Sequence, residues 1–222
     1  VGSEMCIRDS YGAAPHEEME GFIVERFAMA FRLSHGHQML PYSHLANPLF
    51  YMHSACQIAQ IARKLRLDLL HAQNKQSLVG TVIAGRLVGV PVVATVRDYL
   101  PLCRYGMCLN NWSSHHGNCD LDSYRHCVQS YIALYMPDIG ALRKSMVYTA
   151  ALYHRMDTYM KKLALRRADA VVTISARMRD IYVSRGLISD RVVTIYNPMP
   201  DSAKRPAAGC DSDSGLRVLY AG

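Results

Sequence analysis

Apolar residues along the chain gather in short β-branched runs, and longer amphipathic stretches separate those runs. Asp68 to Ala72, DLLHA, reads as a short strand. Ser77 to Val88 is a helix of mostly small residues closed by Gly89, and Pro91 to Val96 supplies a second strand. Strand, helix and strand in this order make a βαβ unit, whose crossover is expected to be right-handed. The rhythm returns near the end of the chain. Ala170 to Ile174 is a strand, and Ser175 to Ser184 is a helix with Ser175 at its N-cap and Gly186 beyond its end. Arg191 to Tyr196 is another strand. Runs such as VVATV and AVVTI suit strands covered on both faces, so the pattern predicts an α/β fold with a parallel sheet and helices on both faces.

Around these units the pattern is less regular. Tyr51 to Leu67 is helical, with Cys56, Ile58, Ile61 and Leu65 near helical spacing. Residues 139 to 167 form a long helix. Leu142, Met146, Ala150, Tyr153, Met156, Met160 and Leu163 line one face, and Lys144, Arg155, Lys162 and Arg166 line another. The methionine-bearing stripe is either core or the apolar side of a basic helix lying on an anionic membrane. Residues 11 to 20 are polar and expected to be mobile, Phe22 to Leu33 is expected to be a helix, and residues 37 to 50 a loop. Residues 99 to 127 read as a cysteine-bearing loop, and 197 to 215 as a linker rich in Pro, Ser, Asp and Ala. Residues 1 to 10, VGSEMCIRDS, have no periodicity and look like a translated adapter, so they are set apart from the fold. The fold proper is placed at 11 to 196. The strand LRVLY within 216 to 222 reads as the first strand of a further, truncated domain.

Charge sharpens this picture. The chain of 222 residues carries a net +7, and all of the excess lies in 141 to 191, with 11 Lys+Arg against 4 Asp+Glu. That concentration favours an anionic partner there: phosphate, membrane surface or nucleic acid. No apolar run approaches the roughly 20 residues that a spanning helix needs. Seven cysteines in a chain of this length do not resemble a secreted disulfide framework. A cytoplasmic setting is expected, at most peripheral to the membrane's inner face.

Candidate chemistry sits at the strand ends, since ligands of open α/β sheets bind beyond the carboxyl ends of the strands. Val92 to Val96 runs directly into Arg97, Asp98 and Tyr99. Asp98 is the candidate catalytic group, a carboxylate placed to take a proton. Arg97 stays protonated and can bind a carboxylate or phosphate in a fork. His71 and Asn74 follow the first strand and suit either acceptor hydroxyls or a structural turn. Ser175 opens a helix whose free N–H groups can meet an anion, or it simply caps that helix. Cys103, Cys108, Cys119 and Cys127, spaced C-x4-C-x10-C-x7-C, are a possible zinc set, with free thiols or a reversible disulfide as the alternatives.

Five segments resemble, in order, the N-terminal domain of family 4 glycosyltransferases, which have the GT-B fold. DLLHAQN resembles that family's strand ending in a histidine. GVPVVATVRDYLPLC resembles its T-x-H-D-[YF]-W-x-L-C strand. RRADAVVTIS resembles its next strand and helix start. DRVVTIYNP resembles the strand before its hinge, and LRVLYAG the first strand of its C-terminal domain. The resemblance implies two Rossmann-like domains, with the N-terminal one binding the acceptor through Asp98, His71, Asn74, Arg97, Tyr99 and Ser175. The C-terminal domain, missing here, would hold most of the nucleotide sugar. It also implies a retaining transferase, hexosyltransferase in type, acting on a glycan or lipid-linked acceptor and needing no cofactor, and inactive as this stretch alone. Two departures stand out. Arg97 occupies the place of the family's usual histidine, and residues 1 to 36 supply neither the usual glycine pair nor a clear first strand. The alternative is a non-catalytic Rossmann-like module with a four-cysteine loop that binds nucleic acid. No recognised nucleic-acid motif is present, and the basic residues are not interleaved with stacking aromatics, so nucleic acid is not the expected partner.

Overall fold

The computed structural model of the chain describes residues 16–19, 22–27, 46–105, 119–197 and 218–221. The adapter-like residues 1–10, Cys108 and the linker beyond Asn197 lie outside the described residues. The chain divides into two compact units, one of Val1–Val92 with Arg217–Gly222, the other of Val93–Leu216.

The first unit begins with a hairpin. β1 (His16–Met19) pairs antiparallel with β2 (Phe22–Glu25), His16 facing Glu25 and Met19 facing Phe22. This corrects two expectations, a mobile stretch at 11 to 20 and a helix from Phe22. Four-residue strands are too short for periodicity to separate from helix. Polar side chains hold them instead: across the hairpin Arg26 meets Glu17 at 2.8 Å and the His16 ring lies 3.2 Å from Glu25, and Lys64 of the following helix reaches Glu25 at 3.1 Å. Such cross-strand pairs are the unit of sheet stabilisation.

α1 (Pro48–Leu65) starts where the Asn47 carboxamide oxygen accepts from the Leu49 N–H at 2.9 Å, with proline at the first helical position. It ends at Arg66 in the left-handed conformation, with the Leu67 N–H reaching the Ala62 carbonyl at 3.0 Å. Its buried face is Tyr51, Ala55, Ile58, Ala59 and Ala62, so Cys56, expected on that face, is exposed. β3 (Leu69–Ala72) follows, then α2 (Leu78–Val88), closed by Gly89 at φ +74°. α2 is small-residue for a steric reason. A Cβ on Gly80 would collide with the Ser54 hydroxyl of α1, and one on Gly85 would strike Val92 and approach the Val90 carbonyl oxygen to 2.8 Å. The Leu70 N–H donates to the Pro91 carbonyl at 3.0 Å, and β4 (Val92–Val96) follows in the chain.

The strand expected at 216 to 220 is β7 (Val218–Ala221). It lies parallel to β3, Leu69 beside Val218 and His71 beside Tyr220. The physical reason is the edge of β3. A strand edge presents unpaired N–H and C=O groups, and a short apolar segment satisfies them.

In the second unit β4 pairs parallel with β5 (Ala170–Thr173), and β5 with β6 (Val192–Thr194). Between β4 and β5 run α3 (Leu121–Tyr135) and α4 (Ala141–Arg167), and α5 (Ala176–Ser184) links β5 to β6. The α/β fold with parallel strands flanked by helices is therefore as the sequence predicts. α3 is not: the cysteine loop was expected to reach 127. Asp120 caps α3, its carboxylate accepting from the Ser123 N–H at 2.7 Å, and Tyr124, Cys127, Val128 and Ile132 bury one face.

α4 carries the largest correction. Its period is helical as expected, but most of the stripe read as a candidate core faces outward, with Leu142 78 % and Met146 64 % exposed and only Met160 and Leu163 half-buried. The buried face is Ala151, His154, Asp157, Lys161, Ala164 and Leu165. Lys161 and Asp157 are both fully buried, their charges 2.7 Å apart.

The α1–α2 packing makes a direct prediction. Gly85→Ala must displace backbone as well as the Val92 side chain, so it is expected to cost about 1–3 kcal/mol. Urea unfolding monitored by circular dichroism measures it.

Candidate functional site at the strand ends

In the second unit the buried residues Ala94 and Val96 anchor β4, and the strand delivers Arg97 to solvent and Asp98 to a half-buried position. The chain then turns sharply. The Asp98 carboxylate accepts from the Leu100 N–H at 2.9 Å, an aspartate turn. The Tyr99 carbonyl accepts from the Leu102 and Cys103 N–H groups at 2.9 and 2.8 Å. Pro101 is buried beneath this turn.

A residue the sequence reading overlooked fixes the turn from the other side. Tyr182, on α5, is wholly buried and its hydroxyl donates to the Asp98 carbonyl at 2.8 Å. Its ring stacks on Tyr99, centroids 6.3 Å apart. Burial, then the Asp98 and Tyr99 charges, push the Tyr182 phenol well above its usual value, so it stays a donor. The signal was present: Tyr182 lies seven residues past the Ser175 cap, on the inward face of a helix. Its reach to Asp98 depends on strand order, which sequence periodicity does not contain.

Ser175 does what an N-cap does, its hydroxyl oxygen accepting from the Met178 N–H at 3.2 Å. Beside it, buried Thr173 ends β5 and bonds across to β6, its hydroxyl 3.2 Å from that of Thr194 and 3.4 Å from the Val193 carbonyl. The structure thus gathers Asp98, Tyr99 and Tyr182 into one bonded group. Ser175 begins the helix that carries Tyr182.

His71 and Asn74 belong to the first unit. His71 is half-buried in β3. Asn74 works as a turn: its carboxamide oxygen accepts from the Gln76 N–H at 3.2 Å, and its carbonyl accepts from Ser77 and Leu78, both at 3.1 Å. The start of α2 has no side-chain cap; the Asn74 backbone carbonyl takes its first N–H, that of Leu78.

The described cysteines surround a tyrosine cluster. Tyr105 sits 5.0 Å from Tyr131 and 6.5 Å from Tyr124, ring centre to ring centre. Cys103 and Cys127 add to the upward shift of the Tyr105 phenol, and Cys103 and Cys119 to that of Tyr124; burial is the largest cause in both. The Tyr124 phenol is pushed up to about 12 and donates to the Ala151 carbonyl. The Arg155 guanidinium lies 5.4 Å from the Tyr124 ring centre and donates to the Cys119 carbonyl at 3.4 Å. Among the described residues no group of three or more His, Cys, Asp or Glu is arranged to hold a metal, and Cys108 lies outside them.

Next to this cluster, His154 of α4 is buried. Burial, then the Arg104 charge, depress its pKa to about 4, with Asp157 opposing and Lys161 adding to the fall. Two predictions follow from these contacts. Tyr182→Phe leaves the Asp98 carbonyl without its donor and is expected to cost about 1–3 kcal/mol in urea unfolding. The unfolded His154 binds its proton near pH 6.5 and the folded one only near 4, so stability holds above that window and falls as pH drops through it. The fall is at most about 3 kcal/mol. His154→Gln is expected to flatten this part of the pH–stability curve.

Comparison with known proteins agrees with this geometry. A search of curated proteins returned no match. The family model described as Glycosyltransferase Family 4 matches residues 9–202, which includes every strand of the second unit and the β3–α2 segment of the first. On that match, and on parallel strands with polar groups at their carboxyl ends, the chain belongs to glycosyltransferase family 4.

Proposed function

We propose that this chain is the acceptor-binding part of a retaining glycosyltransferase, hexosyl-transferring in type, that moves sugar from a nucleotide sugar to a glycan or lipid-linked acceptor at the cytoplasmic side of a membrane. Family membership supports the transferase class. The observation that carries the finer reading is the fixed Asp98 turn, in which the Leu100 N–H and the Tyr182 hydroxyl hold the residue from two sides. A positioned carboxylate costs little reorganisation when it takes a proton from an attacking hydroxyl. Arg97, exposed beside it, suits a phosphate or carboxylate of the acceptor. Tyr99 offers a ring face for a sugar, and Ser175 a helix start. His71 and Asn74 are read as acceptor contacts of the first unit.

In the two-domain architecture the nucleotide sugar is held chiefly by the other domain. This chain supplied with both substrates is therefore expected to give no turnover, and measurable turnover would overturn the division of labour. Zinc at Cys103, Cys108, Cys119 and Cys127 has no step in this chemistry. The described cysteines do not form the set among themselves, and elemental analysis of the purified chain decides the matter.

Asp98→Asn keeps the oxygen that accepts from the Leu100 N–H and removes the charge. It is expected to leave the melting temperature unchanged. It should weaken acceptor binding roughly tenfold, since hydrogen bonds to charged groups are worth about 1.5–3 kcal/mol. Calorimetric titration with free oligosaccharides and a short-chain lipid-linked sugar measures this. Equal affinity of wild type and variant, or binding of nucleotide sugar alone, would sink the reading.

A further inference from the structure

α4 is turned so that its apolar stripe meets water. Leu142, Met146, Met156 and Tyr159 are 78, 64, 52 and 62 % exposed, and Leu152 and Tyr153 are exposed beside them. At 100° per residue these six span a band roughly 140° wide. The opposite face, His154, Asp157, Lys161, Ala164 and Leu165, is buried. Leu134 and Tyr135 at the end of α3 are exposed too, just before the short turn into α4. Contiguous exposed apolar surface of this kind marks an interaction site.

The charges choose the partner. Along α4 the basic residues are Arg143, Lys144, Arg155, Lys161, Lys162, Arg166 and Arg167, and the only acid is Asp157. Asp157 is buried on Lys161. No carboxylate of α4 therefore reaches solvent, while Arg143, Lys144, Arg166 and Arg167 do. The turn before it contributes a single acid, Asp138. A second copy of this face would bring cations against cations. An anionic lipid surface matches both features at once, taking the Leu, Met and Tyr side chains at the acyl boundary and the Arg and Lys heads among the phosphates. Among the described residues no helix is long and apolar enough to cross a membrane, so the contact is one of lying on the surface.

We propose that the outward face of α4 docks on an anionic lipid bilayer through Leu142, Met146, Leu152, Met156 and Tyr159, with the exposed cations of the same helix, Arg143 and Lys144 among them, supplying the positive charge. This rests on the rotation of α4 and stands whether or not the transferase reading holds.

The test is flotation of the full chain with vesicles of phosphatidylcholine alone and of phosphatidylcholine with phosphatidylglycerol, at low and high salt. Binding is expected on the anionic vesicles and is expected to weaken with salt. The double variant Arg143→Gln, Lys144→Gln should lose about fivefold in partitioning for each charge removed. Leu142→Ser with Met146→Ser should lose binding while circular dichroism stays unchanged, because both residues already face water. Equal binding to neutral vesicles, or variants that bind like wild type, would overturn the proposal. So would a dimer in analytical ultracentrifugation that the Leu142→Ser, Met146→Ser variant abolishes, since it would make a second copy the occupant. Acceptor titration without vesicles reads the transferase proposal separately.

Discussion

A lysine taken out of water must bring a counter-charge with it, and that requirement sets the rotation of α4. Lys161 and Asp157 lie four residues apart on one helix, so their heads meet at 2.7 Å without help from any loop. Removing one partner of such a pair costs about 3–5 kcal/mol, whereas replacing both with apolar residues is often neutral. The pair is therefore better understood as fixing orientation than as adding stability. With those two inside, Ala151, Ala164 and Leu165 lie inside as well, and Leu142, Met146, Leu152, Met156 and Tyr159 are left on the outer side. Small residues on the inner face allow close approach, and the Tyr124 hydroxyl of α3 reaches the α4 backbone at Ala151.

The strand ends follow a second constraint, that buried polar groups be satisfied. Tyr182 is sealed from water and its hydroxyl needs an acceptor, which the Asp98 carbonyl provides. Thr173, equally buried, bonds toward β6 and toward the Ser175 carbonyl. These bonds hold the first residues beyond β4 and β5 in defined positions while leaving Arg97 in solvent. A rigid scaffold under a polar rim is the usual arrangement for chemistry carried on loops.

Much of this could be read from the residues. The β-branched runs at 92 to 96 and 170 to 173 named their strands, and Ser175 and Gly89 marked helix ends. What failed shares one cause: the pattern along a chain records that a face exists but not what covers it. The α4 stripe had the right period and the wrong neighbour. α3 was hidden because its cysteines drew attention to ligand spacing, although Tyr124, Cys127, Val128 and Ile132 stand at helical intervals. β7 was legible as a strand, yet its pairing with β3 depends on an open edge that only three dimensions reveal. At the candidate site Asp98 was singled out and Tyr182, which fixes it, was not.

The two proposals, a bilayer contact on α4 and an acceptor held at the Asp98 turn, bear on each other. A glycosyl acceptor carried on a lipid is confined to the plane of a bilayer, so a chain that binds it gains from lying on that surface. Confinement raises effective concentration without any new contact at the reacting hydroxyl. The cost falls on the free protein, which exposes Leu142 and Met146 to water.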